Sequence, residues 1–319
     1  MKNIPLSDIG EISLISKICS QLMTPQNDTV IGPGDDCAVV RVFPDSDYDL
    51  VLKSDPVICG VHFLRSDAPA LVGKKAINRV VSDMAAMGAS PRWFLTNLVC
   101  PTDSNAEVIC QMYKGMQECA TMYGGTIVGG DTSSGNTLEL HVFGCGVLPK
   151  NSARLRSSAQ PNDNVYVTGT LGCSYESGHH LKFEPRLNEG IWLRNYANAM
   201  IDISDGLSSD LWHIADESNA SIIIDRQKIP ISEYALTTKA PVTHALNDGE
   251  DFELLFTIPS AIDESFYTNW KSVFPNTKCT RIGHVENVQS PSVKFSDGEK
   301  ILRRGFEHFS GNTTKGCSL

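Results

Sequence analysis

The chain has 319 residues, 41% hydrophobic and 20% charged. That is more than one core usually spans, so two domains are expected. Its 27 lysines and arginines against 37 aspartates and glutamates leave a formal charge of −10, which disfavours nucleic acid and anionic membranes as partners and means that an anionic ligand needs a divalent cation to approach.

Ten cysteines without a Cys-x-x-Cys pair, no apolar signal core and no apolar run of about 18 residues are the expectations of a reducing cytoplasm and no membrane span. Residues 7–23 place Ile9, Ile12, Ile15, Ile18 and Leu22 near a helical period, and Pro25 to Asp28 end it. Next comes Ile31-Gly-Pro-Gly-Asp-Asp-Cys-Ala-Val-Val40, a glycine-proline turn that delivers Asp35 and Asp36 to an apolar run. Glycine permits close backbone approach and carboxylates are the preferred ligands of magnesium, so one reading is a metal-phosphate site. The other is a β-turn with solvated aspartates.

Strands are predicted at 37–42 and 50–55, the second ending on Asp55. A helix is predicted over 69–88, with Ile77, Val80, Val81, Met84 and Ala85 on one face and Asn78, Ser82 and Asp83 beside it. A strand at 94–99, a helix at 104–123 and a strand opening into Gly129-Gly130-Asp131 follow, then a long alternating strand at 137–148.

The polar stretch 149–163, containing Arg154 and Arg156, is the expected boundary between domains 1–150 and 151–319. The second half restarts with a strand at 164–168, while residues 174–198 carry no clear pattern. Ala199 to Ile203 is a buried-strand pattern interrupted by Asp202 that runs into Ser204-Asp205-Gly206 and a helix to about Ser218. Further strands are expected at 221–225, 252–256, 281–285 and 293–295. Both halves mix strands and helices, the pattern of an α+β or α/β protein.

Asp35, Asp36, Asp55, Asp83, Asp131, Asp202 and Asp205 all lie where an element meets a small residue. A carboxylate beside a core element is costly unless a cation or donor meets it, which suggests a shared ion site. Aspartate is also an ordinary cap and turn residue. There is no Gly-x-Ser-x-Gly elbow, Walker P-loop or clean Gly-x-Gly-x-x-Gly. Phosphoryl transfer asks the protein mainly to position groups and neutralise charge around magnesium, a demand that aspartates meet.

In this order, seven stretches resemble the thiamine-monophosphate kinase family of the aminoimidazole-ribonucleotide synthetase-like superfamily. They are Gly34-Asp-Asp-Cys-Ala-Val-Val40, Ser54-Asp55 with Gly60-Val-His-Phe63, Lys75-Ala76 with Ser82-Asp-Met-Ala-Ala-Met-Gly-Ala89, Gly129-Gly-Asp-Thr132, Val167-Thr-Gly-Thr-Leu-Gly172, Met200-Ile-Asp-Ile-Ser-Asp-Gly-Leu207 and Gly249-Glu-Asp-Phe-Glu-Leu-Leu-Phe256. The resemblance spans about residues 7–309.

It implies transfer of the ATP γ-phosphate onto thiamine monophosphate, giving thiamine diphosphate without a covalent protein nucleophile. By the same resemblance, Asp36, Ser54, Asp55, Asp83, Asp131, Asp202 and Asp205 hold several magnesium ions. Gly130, Asp131, Arg156 and Ser204 contact ATP, while His62, Glu250 and Phe306 line the thiamine pocket, with the Phe306 ring stacked on a cationic heterocycle. The implied fold is a two-domain, mixed α+β fold of the aminoimidazole-ribonucleotide synthetase-like type. Its amino-terminal sheet joins a twin in a homodimer, and ATP lies between the domains. Asp35 is expected to brace the turn.

Two positions depart from the family pattern. Pro161-Asn-Asp163 replaces Pro-Gly-Asp, which is harmless if Asn162 takes the left-handed conformation. Asp248 replaces a small residue and adds charge beside Glu250. Read without the resemblance, His62 is a buried strand histidine, Arg154 and Arg156 a solvated pair, and Phe306 a packing anchor. The alternatives at the level of function are another ATP-dependent synthetase of the superfamily, where a maturation factor would want a modifiable carboxyl-terminal cysteine and Cys317 is near the end but not in last position, and a non-catalytic magnesium-nucleotide binding protein.

Overall fold

Period-two apolar patterns in each half pair into a separate sheet, and the longer helices cover them. The computed structural model describes residues 5–22, 27–287 and 290–309; Cys317 lies outside them. The first sheet joins β1 (Thr29–Ile31), β2 (Ala38–Val40), β3 (Tyr48–Ile58), β4 (Ser90–Cys100), β5 (Thr126–Ser134) and β6 (Glu139–Pro149) in the order β1-β2-β3-β6-β4-β5. Only β4 and β5 run parallel. A parallel pair needs a crossover, and a helix at Ala106–Met122 supplies it.

The second sheet joins β7 (Asp163–Thr168), β8 (Met200–Asp202), β9 (Ser221–Ile224), β10 (Leu254–Pro259), β11 (Cys279–Glu286) and β12 (Ser292–Phe295) in the order β12-β9-β11-β7-β10-β8.

In chain order the helices are α1 (Leu6–Cys19), α2 (Pro69–Ala86), α3 (Ala106–Met122), α4 (His179–Lys182), α5 (Leu187–Leu193), α6 (Leu207–Glu217), α7 (Glu233–Leu236), α8 (Pro241–Asn247) and α9 (Asp263–Val273). None among the described residues is long and apolar enough to cross a membrane. α2 and α3 cover one face of the first sheet around Val51, Val57, Ile77, Val81, Phe94, Met116 and Val142. The opposite face stays open, with Trp93, Leu95, Val128 and Phe143 at 37–56% exposure. The second sheet is covered on both faces: α6 packs over Val167, Ile201 and Leu255, and α9 brings Phe266 and Trp270 against Tyr166 and Phe256. α2 touches both halves, packing on β3 and β6 and also on α4, α5 and β8.

The mixed α+β class agrees with the sequence expectation. Several boundaries differ for physical reasons. The leading helix ends at Cys19, breaks at Gly10 (φ +71°) and buries no residue, so Ile12, Ile15 and Ile18 each stay half exposed. The strand expected at 252–256 begins at Leu254 instead, because Glu250 and Phe252 take φ of +66° and +51° and curl the chain before it extends. Asn162 does take the left-handed conformation, at φ +69°. The unpatterned stretch 174–198 contains the short helices α4 and α5.

α2 and α3 cross at two glycines. A Cβ on Gly73 would lie 1.9 Å from the Met112 carbonyl oxygen, and one on Gly115 would lie 2.1 Å from the Ala70 carbonyl oxygen. In Gly115→Ala, helix propensity favours the variant by about 1 kcal/mol, whereas overpacking costs typically about 1–3 kcal/mol, occasionally more. Here the obstacle is backbone that cannot rotate aside, so the clash wins and the urea-unfolding midpoint should fall. A midpoint equal to or above that of the wild type would contradict this packing.

Candidate active site

The turn before β2 aims its two aspartates differently. Asp35 braces the backbone, accepting the N–H of Asp36 at 2.9 Å and that of Arg156 at 3.2 Å. Asp36 points inward at 2% exposure. The Arg156 Nε donates to Asp36 Oδ1 at 3.1 Å, and its Nη2 donates to the same oxygen. Asp36 Oδ2 is buried with no hydrogen-bond partner among the described residues.

Asp83 comes from α2 and Asp202 from the end of β8, so the second sheet supplies one member. Ser82, one residue before Asp83, donates to Asp202 Oδ2 at 2.6 Å. Asp36, Asp83 and Asp202 each place a carboxylate oxygen within 4.8 Å of the others. Lys53, on β3, puts its ammonium 2.7 Å from Asp83 and 3.7 Å from Asp55. Four carboxylates thus face two cations, Lys53 and Arg156.

Burial is the leading cause of the resulting shifts. It raises Asp202 to about 7, with Asp36 adding to the rise. It also raises Asp35 to about 7, again with Asp36 adding to it. Burial lifts Asp83 well above the ordinary carboxylate range, and Asp55, Asp202 and Asp36 push it further against the opposing pull of Lys53. Burial alone would lower Lys53, but Asp55 and Asp83 overcome it and hold the ammonium charged. An orphaned carboxylate oxygen and three mutually repelling acids fit a hard cation.

A second group, Asp205, Asp210 and His213, gathers side-chain ligand atoms within 4.8 Å of one another at the start of α6. Asp210 is 1% exposed and accepts the Gly206 N–H at 3.2 Å.

Beside these groups opens a cavity of about 350 Å³ lined in part by His62, Arg79, Ser204, Asp205, Glu250 and Phe306. His62 Nδ1 accepts the Ile58 N–H at 3.0 Å, which leaves the ring proton on Nε2. Burial, then Arg79 and Lys75, push its imidazole down to about 2, so it is neutral at ordinary pH. Glu250 sits on the strained turn before β10, where the fully buried Lys75 ammonium reaches both of its oxygens at 2.8 and 2.9 Å. Phe306 is 39% exposed, and its N–H donates to the Asp205 carbonyl at 2.9 Å.

The fold therefore draws together Asp36, Asp83 and Asp202, with Asp55 joined through Lys53. Asp205 and Ser204 stand next to them, and His62, Glu250 and Phe306 share the cavity. Ser54, Gly130 and Asp131 are exposed, and strand alternation turns Ser54 to the face of β3 opposite Lys53 and Asp55. β6 and β4 separate β3 from β5, which puts Ser54 and Asp131 roughly 14 Å apart or more within one chain, at about 4.8 Å per strand. Arg156 is no solvated loop residue, since it is held on Asp36. The extra charge of Asp248 is engaged by His244 Nδ1 at 2.8 Å and the Cys173 N–H at 2.9 Å. Sequence reasoning missed Lys53, Arg79, Asp210 and the role of Lys75. Lys75, Arg79 and Ser82 are spaced i, i+4 and i+7, a polar stripe on an otherwise apolar helix that could have revealed two of them.

The family model described as AIR synthase related protein, N-terminal domain, matches residues 34–148, which gives the first sheet and its helices the class of AIR synthase-related domains. It is 33% identical to a thiamine-monophosphate kinase of Buchnera aphidicola subsp. Schizaphis graminum, over 95% of this chain and 99% of that one. It is 36% identical to a thiamine-monophosphate kinase of Pyrococcus horikoshii, over 87% and 91% of the two chains. A solved structure described as AaThiL complexed with AMPPCP and TMP superposes with a TM-score of 0.83 at 32% identity, covering 97% of this chain and all of that one. The chain belongs to the thiamine-monophosphate kinase family.

The raised carboxyls set a pH dependence. Asp202 and Asp35 keep a proton up to about pH 7 when folded but lose it near the ordinary carboxylate value of 3.8 when unfolded. Their contribution to the stability of chelated protein is therefore fully present below that value and lost as pH rises through the folded pKa. The melting temperature in EDTA should fall between about pH 5.5 and 7.5, and added Mg²⁺ should raise it more at the upper end. Asp202→Asn should flatten the slope. A melting temperature in EDTA that is level or rises over this window would contradict the carboxylate assignment.

Proposed function

We propose that the chain phosphorylates thiamine monophosphate with ATP, by in-line attack of an acceptor phosphate oxygen on the γ-phosphorus, releasing ADP and giving thiamine diphosphate. The observation that carries the reading is the buried triad Asp36, Asp83 and Asp202, with its orphaned oxygen, next to a cavity sized for a small ligand. The relatives' names and the AMPPCP and TMP complex of the superposed structure support the same reaction. Magnesium bound at the acids would neutralise phosphate oxygens. Its holders in this reading are Asp36, Asp55, Asp83, Asp202 and Asp205, with Ser54 and Asp131.

Protein groups do the remaining work. Arg156 and Ser204 contact ATP together with the Gly130-Asp131 backbone and side chain. His62 offers its Nε2–H to the substrate. Glu250, fixed by Lys75, accepts hydrogen bonds from the aminopyrimidine, and the exposed Phe306 ring stacks on the cationic thiazolium. No side chain forms a covalent intermediate.

The distance between Ser54 and Asp131 within one chain, and the open apolar face of the first sheet, support a homodimer in which Asp131 of the partner subunit completes each site. The working division is a nucleotide-binding, dimerising domain at 1–150 and an α/β domain at 151–319, acting in the cytoplasm.

Purified protein given ATP, Mg²⁺ and thiamine monophosphate should yield thiamine diphosphate by chromatography; ATP bound without product would contradict the reading. Asp36→Asn should cost about 100-fold or more in kcat, the scale of several kcal/mol of metal charge stabilisation, whereas Asp35→Asn should cost far less. Equal losses would contradict the separate roles of the two acids. Mixing inactive Asp36→Asn and Asp131→Asn proteins should restore up to about one quarter of wild-type activity through one intact site per mixed dimer. No recovery on mixing would contradict the shared site.

A further inference from the structure

We propose that Arg79 binds the phosphate of the acceptor substrate, a role that rests on the kinase reading above. The cavity wall is strongly acidic: Glu176, Asp205, Asp248, Glu250 and Glu307 all line it. These groups suit a cationic heterocycle and repel a phosphate ester. Among the described lining residues, Arg79 is the one arginine or lysine.

Its guanidinium is not consumed by the fold. Nη1 lies 3.2 Å from Glu250 Oε1, yet Lys75 already meets both oxygens of that carboxylate. Nε is buried and has no hydrogen-bond partner among the described residues, and the side chain is only 15% exposed. An arginine held dry with an unused N–H is costly unless an acceptor arrives, and its planar fork matches a phosphate. The Phe252 ring, 5.7 Å from Cζ, supports the guanidinium.

The position also suits the chemistry. Arg79 lies one turn before Asp83 on α2 and lines the cavity, and Asp55, Asp83, Asp202 and Glu250 all act on its charge, so the guanidinium is near both the acidic cluster and the cavity. A phosphate held there lies at the mouth of the cluster while its heterocycle points toward Glu250 and Phe306.

The test compares two ligands that differ by one phosphate, thiamine and thiamine monophosphate, titrated calorimetrically into full-length protein with Mg²⁺. Wild-type protein should prefer the phosphate ester. Arg79→Gln should lose at least about 10-fold of that preference, the scale of one charge-assisted hydrogen bond, while its thiamine affinity holds. Arg79→Lys should keep part of the preference, since it retains charge without the fork. If Arg79→Gln and Arg79→Lys weaken both ligands equally, Arg79 only braces Glu250 and the proposal is overturned. If wild-type protein binds the phosphate ester and Arg79→Gln keeps the full preference, the role is likewise overturned and the kinase reading stands. Wild-type protein that binds neither ligand contradicts the kinase reading itself.

Discussion

Mutual repulsion among buried carboxylates is the constraint on which the rest of the molecule depends. Asp36 arrives from a turn, Asp83 from α2 and Asp202 from the second sheet, and their oxygens meet within 4.8 Å. Two unit charges about 4 Å apart at an effective dielectric of about 20 repel by about 4 kcal/mol. A hydrogen bond returns about 1 kcal/mol net, so Ser82 on Asp202 does not offset it. Lys53 and Arg156 answer part of the charge. The remainder leaves carboxyls that hold protons or take up a cation.

α2 is the element that makes the arrangement possible. Its apolar face, with Ile77, Val80, Val81 and Met84, packs on the first sheet. Its polar stripe turns toward the second half: Asn78 donates to the Phe183 carbonyl at 2.7 Å, Ser82 to Asp202, and Lys75 to Glu250. The contact is backbone-close, since a Cβ on Gly190 of α5 would lie 2.1 Å from the Ala85 carbonyl oxygen. One helix therefore sets the spacing of the triad and the wall of the cavity together.

Much of this was legible in the sequence, where pattern and chemistry coincide. The apolar period of α2 gave its limits to within two residues, and aspartates beside small residues marked the acidic cluster because few other reasons place a carboxylate against a core. The gaps have physical causes. Lys53 reads as a solvated strand residue, since alternation says which face it takes and not that acids wait there. Asp210 shares the helix face of Leu207, Leu211 and Ile214, but periodicity alone does not say that an acid there is buried against the turn at Gly206. The left-handed turn at Glu250 and Phe252 leaves no propensity signal, because neither residue favours positive φ. Ser54 and Asp131 were grouped by resemblance, and a single chain keeps them three strands apart.

The central claim is that the triad where the two sheets meet is a cation seat, and Mn²⁺ binding followed by electron paramagnetic resonance without nucleotide tests it most directly. Asp202→Asn changes only the member supplied by the second sheet and leaves Asp36, Asp55 and Asp83 in place. The account predicts that wild-type protein binds Mn²⁺ and that this folded variant binds it at least about 10-fold more weakly, the cost of losing one charged ligand. Equal Mn²⁺ affinity in the two proteins, or none in the wild type, would contradict it.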